Sequence, residues 1–124
     1  MGKSKQSLTE LRLDRREYLD NREMARMIIQ GRLDYYQTML GVKYKRVSIK
    51  LLRSRWGSCS SLGNLNFNYL IIKLPDQLRD SVIVHELTHL IHPNHSQLFY
   101  QTAEEILPGF RKISKQMRNY QLRG

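Results

Sequence analysis

Residues 85–89 form the pattern His-Glu-x-x-His, whose residue types and spacing suit hydrolytic chemistry. On a helix, residues four apart lie on the same face, so His85 and His89 should project together. Two neutral imidazoles in this arrangement can occupy two corners of a tetrahedral Zn²⁺ site and leave a position for water. Glu86 lies beside a ligand but not in line with it, and can act on that water as a general base. The pattern therefore predicts zinc-dependent hydrolysis of a peptide bond.

Histidine pairs at helical spacing also occur on ordinary exposed or half-buried helix faces, so the pattern alone has a second explanation. Here residues 81–90 carry a dense run of apolar side chains, which is typical of a buried helix. Unpaired polar groups at His85, Glu86 and His89 would be costly inside such a helix. A bound metal removes that cost, so the context favours the metal site.

The segment after the pattern predicts how a third histidine joins the first two. Pro93 disfavours a helical conformation for His92 and cannot donate to the preceding turn. The chain should leave the helix near His92, turn at Pro93-Asn94, and bring His95 back toward the pair. Ser96 can then cap a second helix. We therefore expect His95 to be the third zinc ligand.

Other residues offer alternatives to this ligand set. Glu104 and Glu105 lie on the second helix, and either could supply the third ligand instead of His95. His92 is a further histidine, expected to support a ligand or to be exposed. Cys59 is expected in the core, and its approach to the metal is a minority alternative.

Peptide hydrolysis also needs a donor for the developing oxyanion, and the sequence offers several candidates. They are Tyr69, Tyr100 and His92, and nothing in the sequence chooses among them. We expect the substrate peptide to lie extended along the exposed edge of a small sheet, as an added strand.

Length and composition indicate one globular domain with a modest core, since the chain has 124 residues, 40% of them hydrophobic and 26% charged. No apolar run approaches the roughly 20 residues of a membrane span, and the N-terminus lacks the apolar stretch of a signal peptide. The single cysteine, Cys59, cannot form an internal disulfide. These features predict a cytoplasmic protein with no membrane partner.

The formal net charge of +10, from 21 Lys and Arg against 11 Asp and Glu, suggests a second class of partner. Such a chain is attracted to nucleic acid in a salt-dependent way. Distributed basic residues are, however, usually solvated faces, and no recognised nucleic-acid motif accompanies them. The alternative function is a zinc-stabilised, nucleic-acid-associated binding module without turnover. Glu86 separates the two, because a purely structural zinc site has no use for it.

Hydrophobic periodicity and turn signals predict an α+β fold with helices packed on one small, mainly antiparallel sheet. A capping box at Ser7–Glu10 should open an N-terminal helix that ends at Gly41, with Asp20-Asn21 as a candidate break. The remaining predicted elements are strands at 47–51, 55–60 and 64–72, a metal-site helix starting from Pro75, a helix after Ser96, a break at Pro108-Gly109 and a closing helix at 114–122.

Several separated motifs arrive in one order along the chain. They are Arg55-Trp56-Gly57-Ser58-Cys59-Ser60, Leu65-Asn66, Leu74-Pro75, residues 82–90, Asn94-His95-Ser96 with Phe99, and Pro108. In these motifs the chain resembles the YgjP-like metallopeptidases, compact zincins related to the SprT-like proteases. The resemblance spans about residues 20–122, and it implies a zincin fold, Zn²⁺ on His85, His89 and His95, and Glu86 as general base. We accordingly expect a helical extension at 1–20 and the metallopeptidase domain at 21–124.

Overall fold

The computed structural model describes residues 8–123, and their arrangement confirms the α+β class. The strands are β1 (Thr9–Arg12), β2 (Arg46–Lys50), β3 (Gly57–Cys59), β4 (Asn64–Asn68) and β5 (Tyr120–Arg123). The α-helices are α1 (Arg15–Leu40), α2 (Asp76–Thr88), α3 (Gln97–Ile106) and α4 (Phe110–Lys115), with 3₁₀ turns at Tyr69–Lys73 and Gln116–Asn119.

Helix α1 is unbroken over 26 residues, and both of its ends are capped. The Asp14 side chain accepts a hydrogen bond from the Glu17 amide at 3.0 Å, and Gly41 follows the last turn in the left-handed region at φ 69°. The predicted end at Gly41 is therefore confirmed, and the candidate break at Asp20-Asn21 does not occur. One side of the helix is buried through Ala25, Ile29, Leu33 and Tyr36.

The two ends of the chain pair with each other, and this corrects two predicted helices. Ser7 of the predicted capping box lies outside the described residues, and the residues after it form β1 rather than a helix. β1 pairs in parallel with β5, in the register Thr9 to Tyr120, where a closing helix was predicted at 114–122. Burial of Leu11 favours this pairing over the local helix signals. The boundary predicted between residues 20 and 21 falls inside α1.

The central sheet has the strand order β2-β4-β3 and is mixed, not mainly antiparallel as predicted. β4 pairs in parallel with β2 over five residue pairs and antiparallel with β3 over three. The turn between β3 and β4 contains Gly63 at φ 87°, a conformation that glycine adopts without a side-chain clash. β4 ends at Asn68, earlier than predicted, because its side chain accepts a hydrogen bond from the Leu70 amide and caps the 3₁₀ turn.

Helix α2 lies at the centre of the molecule, in contact with α1, α3, α4 and the strands β3 and β4. Buried residues lie on all sides of α2, and they include the polar Asp80 and Glu86 as well as apolar side chains. Asp80 is paired there with Arg32 and accepts a hydrogen bond from Tyr36 at 2.7 Å. Within residues 8–123, no helix combines the length and the apolar character that a membrane crossing requires.

Candidate metal centre

Three histidines converge at the end of α2. The Nε2 atoms of His85, His89 and His95 lie 3.2, 3.1 and 3.0 Å from one another in pairs, which is a nearly equilateral triangle. Ligand nitrogens about 2.0–2.1 Å from a tetrahedral Zn²⁺ would be about 3.3 Å apart. Three imidazole nitrogens this close together can bind one cation jointly when each presents its lone pair. The triad therefore has the donor set and spacing to hold a metal ion.

The loop after α2 orients one of these rings. His89 Nδ1 lies 3.1 Å from the backbone oxygen of His92, so an N–H on Nδ1 can donate to that carbonyl. The proton on Nδ1 leaves the lone pair of Nε2 free for a metal, which is the usual role of such a contact. The His92 ring itself points elsewhere, with Nε2 3.0 Å from Thr102 Oγ1 on α3.

Burial keeps two of the three imidazoles neutral. The pKa of His85 is lowered to about 4, mainly by removal from water and further by the neighbouring His89 and His95. Burial likewise lowers the pKa of His89. Neutral imidazole is the form that binds metal, so the surroundings favour the ligand state at neutral pH.

The aromatic ring of Phe99 supports the triad from α3. It is fully buried, and its centroid lies 5.1, 4.8 and 5.0 Å from the rings of His85, His89 and His95. The Ser96 side chain accepts a hydrogen bond from the Phe99 amide at 3.3 Å, which confirms the predicted cap of this helix. The motif that contains Phe99 did not predict this contact with the histidines. The cap three residues earlier was the local signal that could have placed it.

Glu86 is buried beside the triad, with 7% of its surface exposed. Burial raises its pKa to about 7, although the positive charge of Arg55 acts in the opposite direction. A Cβ atom on Gly57 would lie only 3.1 Å from Glu86 Cγ, so β3 approaches the carboxylate as closely as glycine allows. The buried carboxylate can therefore take up and release a proton near neutral pH.

A cavity of about 450 Å³ opens beside Glu86 and His85. β3 and the residues before it, α2, α3 and the C-terminal segment all contribute to its walls. The lining residues are Ser54, Arg55, Trp56, Gly57, Ser81, Val82, His85, Glu86, Tyr100, Phe110, Ser114 and Met117. Its volume is in the range of binding sites for small ligands or substrate side chains.

The three predicted oxyanion donors lie in different places. Tyr100 lines the cavity beside Glu86, and its ring centroid is 6.4 Å from that of His95. Tyr69 is buried away from that lining and donates from its hydroxyl to Glu17 Oε2 at 2.9 Å. His92, as described above, contacts Thr102. The structure thus brings only Tyr100 of the three to the cavity.

The alternative ligands are placed apart from the triad. Glu104 accepts hydrogen bonds from the amides of Gly109 and Arg111 at 2.9 and 2.8 Å, and so caps α4. Glu105 is exposed on α3. Cys59 lines a second cavity, of about 460 Å³, on the His89 side of the triad, and burial raises the pKa of its thiol. Among the described residues, the clustered ligand atoms belong to the three histidines alone.

Comparison with known proteins places this fold and site in a class. Residues 3–120 match the YgjP-like metallopeptidase domain, and the chain belongs to this family, as its motifs predicted. Membership implies a peptidase that acts on a protein or peptide. The matched range includes residues 3–20, most of the segment predicted to precede the domain.

Two crystal structures of archaeal metallopeptidase zymogens are similar to this fold. Abylysin of Pyrococcus abyssi is 22% identical over 72% of this chain and 90% of that one, with a TM-score of 0.64. Jannalysin of Methanocaldococcus jannaschii is 20% identical over 73% of this chain and 93% of that one, with a TM-score of 0.63. At these identities the similarity concerns the fold, and it confirms the predicted zincin-like architecture. No curated protein matches the chain in sequence.

Proposed function

We propose that the chain is a zinc-dependent endopeptidase in which His85, His89 and His95 hold the metal and Glu86 is the general base. The observation that carries the proposal is the triangle of Nε2 atoms, 3.0–3.2 Å apart, directly beside a buried carboxylate that faces a cavity. Membership of a metallopeptidase family supports it.

Zinc in this position would supply the Lewis acidity that activates water and polarises the substrate carbonyl. Glu86 has the side chain to move the protons: it accepts one from the attacking water and donates it to the leaving amine nitrogen. Its pKa, raised by burial to about 7, suits both directions of transfer near neutral pH. Of the predicted oxyanion donors we favour Tyr100, because its ring lines the cavity that contains Glu86.

An endopeptidase needs room for the substrate chain on both sides of the scissile bond. His85 and Gly57 line one cavity, and His89 and Cys59 line a second one. Strand β3, which contains both Gly57 and Cys59, is an edge strand of the central sheet. An extended peptide can add to such an edge through backbone hydrogen bonds and continue in both directions. This arrangement favours cleavage within a chain over removal of a terminal residue.

The test is hydrolysis of a denatured protein and of a peptide mixture by zinc-loaded wild type and Glu86→Gln. The amide keeps the shape of the side chain and removes its basicity, so we expect a loss of roughly 100-fold or more in kcat/KM. Zinc content, measured by elemental analysis, should be unchanged, because Glu86 is not a ligand. Equal activity at matched zinc content would exclude Glu86 as the base, and full activity of a zinc-free preparation would exclude a metal-dependent reaction.

A further inference from the structure

Arg55 is the only cationic side chain among the described residues that line the cavity beside Glu86. The other charged group there, Glu86, is assigned to proton transfer. Trp56, Val82 and Phe110 contribute apolar walls, against which an ion pair is less screened than in open water. The lining of the cavity therefore includes one positively charged side chain.

The guanidinium of Arg55 forms no ion pair or side-chain hydrogen bond with residues 8–123, although several other arginines do. Arg32, Arg79 and Arg123 each pair with a carboxylate, at 3.0, 2.7 and 3.6 Å. The positive charge of Arg55 acts on Glu86, but no hydrogen bond joins the two. Its hydrogen-bonding groups are thus available to a ligand.

The backbone around Arg55 is held rigidly by one buried side chain. Asn68 is 0% exposed, and its Nδ2 donates to the backbone oxygens of Leu52 and Arg55, each at 2.9 Å. The backbone N–H of Asn68 donates to the backbone oxygen of Trp56 at 2.9 Å. The segment that leads into β3 is therefore fixed, and the Arg55 side chain starts from a defined position at the cavity.

We propose that Arg55 is a specificity-determining residue that pairs with the side-chain carboxylate of an acidic residue in the substrate, close to the scissile bond. The inference rests on the proposed peptidase function and extends it to a substrate class, acidic peptide segments. A guanidinium matches a carboxylate with two parallel hydrogen bonds, which gives orientation as well as attraction. The net charge of +10 would also attract acidic segments from a distance.

The chain offers a matched control two residues away. Arg53 is exposed like Arg55, but it lines a different cavity, with Leu13, Arg15 and Leu51. Arg53→Gln and Arg55→Gln each remove one positive charge from the molecule. Only Arg55→Gln removes a charge from the cavity beside Glu86. Any effect of overall charge will be common to both variants.

The experiment uses the zinc-loaded full chain and pairs of peptides that differ by one Glu→Gln change, scanned along the residues next to the cleaved bond. Both termini of the peptides are blocked, so that only the side-chain carboxylate differs. We expect wild type to prefer Glu at one position by about fivefold or more in kcat/KM, a ratio between those of exposed and desolvated ion pairs. Arg55→Gln should bring that ratio to about one, Arg53→Gln should retain it, and Arg55→Lys should retain part of it.

Two results would overturn the proposal: no preference for Glu in wild type, or the same preference in Arg55→Gln, which includes an equal loss of kcat/KM toward both peptides. Binding of the same peptides to zinc-loaded Glu86→Gln, with and without Arg55→Gln, separates this inference from the proposed function. Hydrolysis without an Arg55-dependent preference contradicts the role of Arg55 alone. An Arg55-dependent binding preference without hydrolysis by wild type contradicts the peptidase and supports the carboxylate site.

Discussion

The three histidines share the contact with Phe99 but differ in their other contacts. His89 is oriented by the backbone oxygen of His92, and His85 lies between the rings of Phe99 and Phe110, with centroids 5.1 and 6.3 Å away. His95 is exposed and depends on the turn at Pro93 and on its edge contact with Phe99. Because His95 lies outside the helix, its part in metal binding needs the most direct test.

We predict that His95→Ala lowers zinc affinity strongly, whereas Glu104→Ala retains zinc. Glu104 should instead affect folding, because its carboxylate caps the start of α4 through the amides of Gly109 and Arg111. Loss of such a cap costs about 1 kcal/mol of the free energy of unfolding. Zinc titration and urea unfolding of the two variants measure both effects. Zinc loss in Glu104→Ala, with His95→Ala unaffected, would move the third ligand to α3.

A second prediction concerns the close approach of β3 to Glu86. A Cβ at position 57 would lie 3.1 Å from both Glu86 Cγ and the Asn66 backbone oxygen. Gly57→Ala should therefore displace the carboxylate or the strand and reduce kcat more than zinc content. Gly31→Ala is the control, since a Cβ there has no heavy atom within 4 Å in the described structure. It should leave activity unchanged and stabilise α1 by about 0.5–1 kcal/mol. Unaltered kcat in Gly57→Ala would show that the site tolerates the shift.

Among the helices, strands and turns, those determined by signals within a few residues were predicted most accurately from the sequence. The histidine spacing, the turn at Pro93 and the Ser96 cap act within a few residues, and together they located α2, α3 and the three converging histidines. β1 and β5 depend on pairing between Thr9 and Tyr120, at opposite ends of the chain, which no local pattern reports.

Two residues show the same limit within the site. Tyr69 was one of three candidate oxyanion donors that the sequence could not rank, but β4 ends at Asn68 and the Tyr69 hydroxyl donates to Glu17. Arg55 was placed within a motif without a role, because its position beside Glu86 arises from the packing of β3 on α2. Contacts between elements that are distant in sequence depend on tertiary packing, and local patterns in a single sequence do not predict them.

Glu17 on α1 contacts the 3₁₀ turn at Tyr69–Lys73. We expect its contribution to stability to depend on pH. It pairs with Lys73 and accepts a hydrogen bond from Tyr69. The Lys73 hydrogen bond holds the pKa of Glu17 below its ordinary value. A carboxylate with a lowered pKa in the folded state stabilises fully above its unfolded pKa of about 4.3, and that stabilisation is lost as the pH falls through the folded pKa.

Glu17→Gln should therefore lower the free energy of unfolding at neutral pH by up to about 1 kcal/mol, since the ion pair is partly exposed. The difference from wild type should shrink as the pH falls into the acidic range. Urea unfolding at a series of pH values measures it, with Glu23→Gln, an exposed site on the same helix, as the control. A difference that persists unchanged at acidic pH would show that packing, not charge, accounts for the effect.

For the whole molecule, the excess of basic residues has consequences beyond the site. Within residues 8–123, the ion pairs Arg32–Asp80 and Arg79–Asp76 are partly buried. The positive charges of these two arginines are therefore balanced by a neighbouring aspartate. Many other basic side chains are exposed, among them Arg53, Lys50, Arg111 and Lys112. An exposed positive surface attracts any polyanion, whether an acidic peptide or a nucleic acid.

We predict that any binding to nucleic acid is electrostatic and does not depend on sequence. A contact with about three phosphates would make the logarithm of the affinity fall with the logarithm of salt concentration at a slope of about −2.7. Fluorescence anisotropy with two DNA duplexes of equal length and different sequence, at low and physiological salt, measures slope and preference together. Arg53→Gln should change the slope by about one unit at most, and the variant should bind the two duplexes with equal affinity. Binding that survives high salt, or that favours one duplex, would point to direct readout of bases and to a second function for this basic surface.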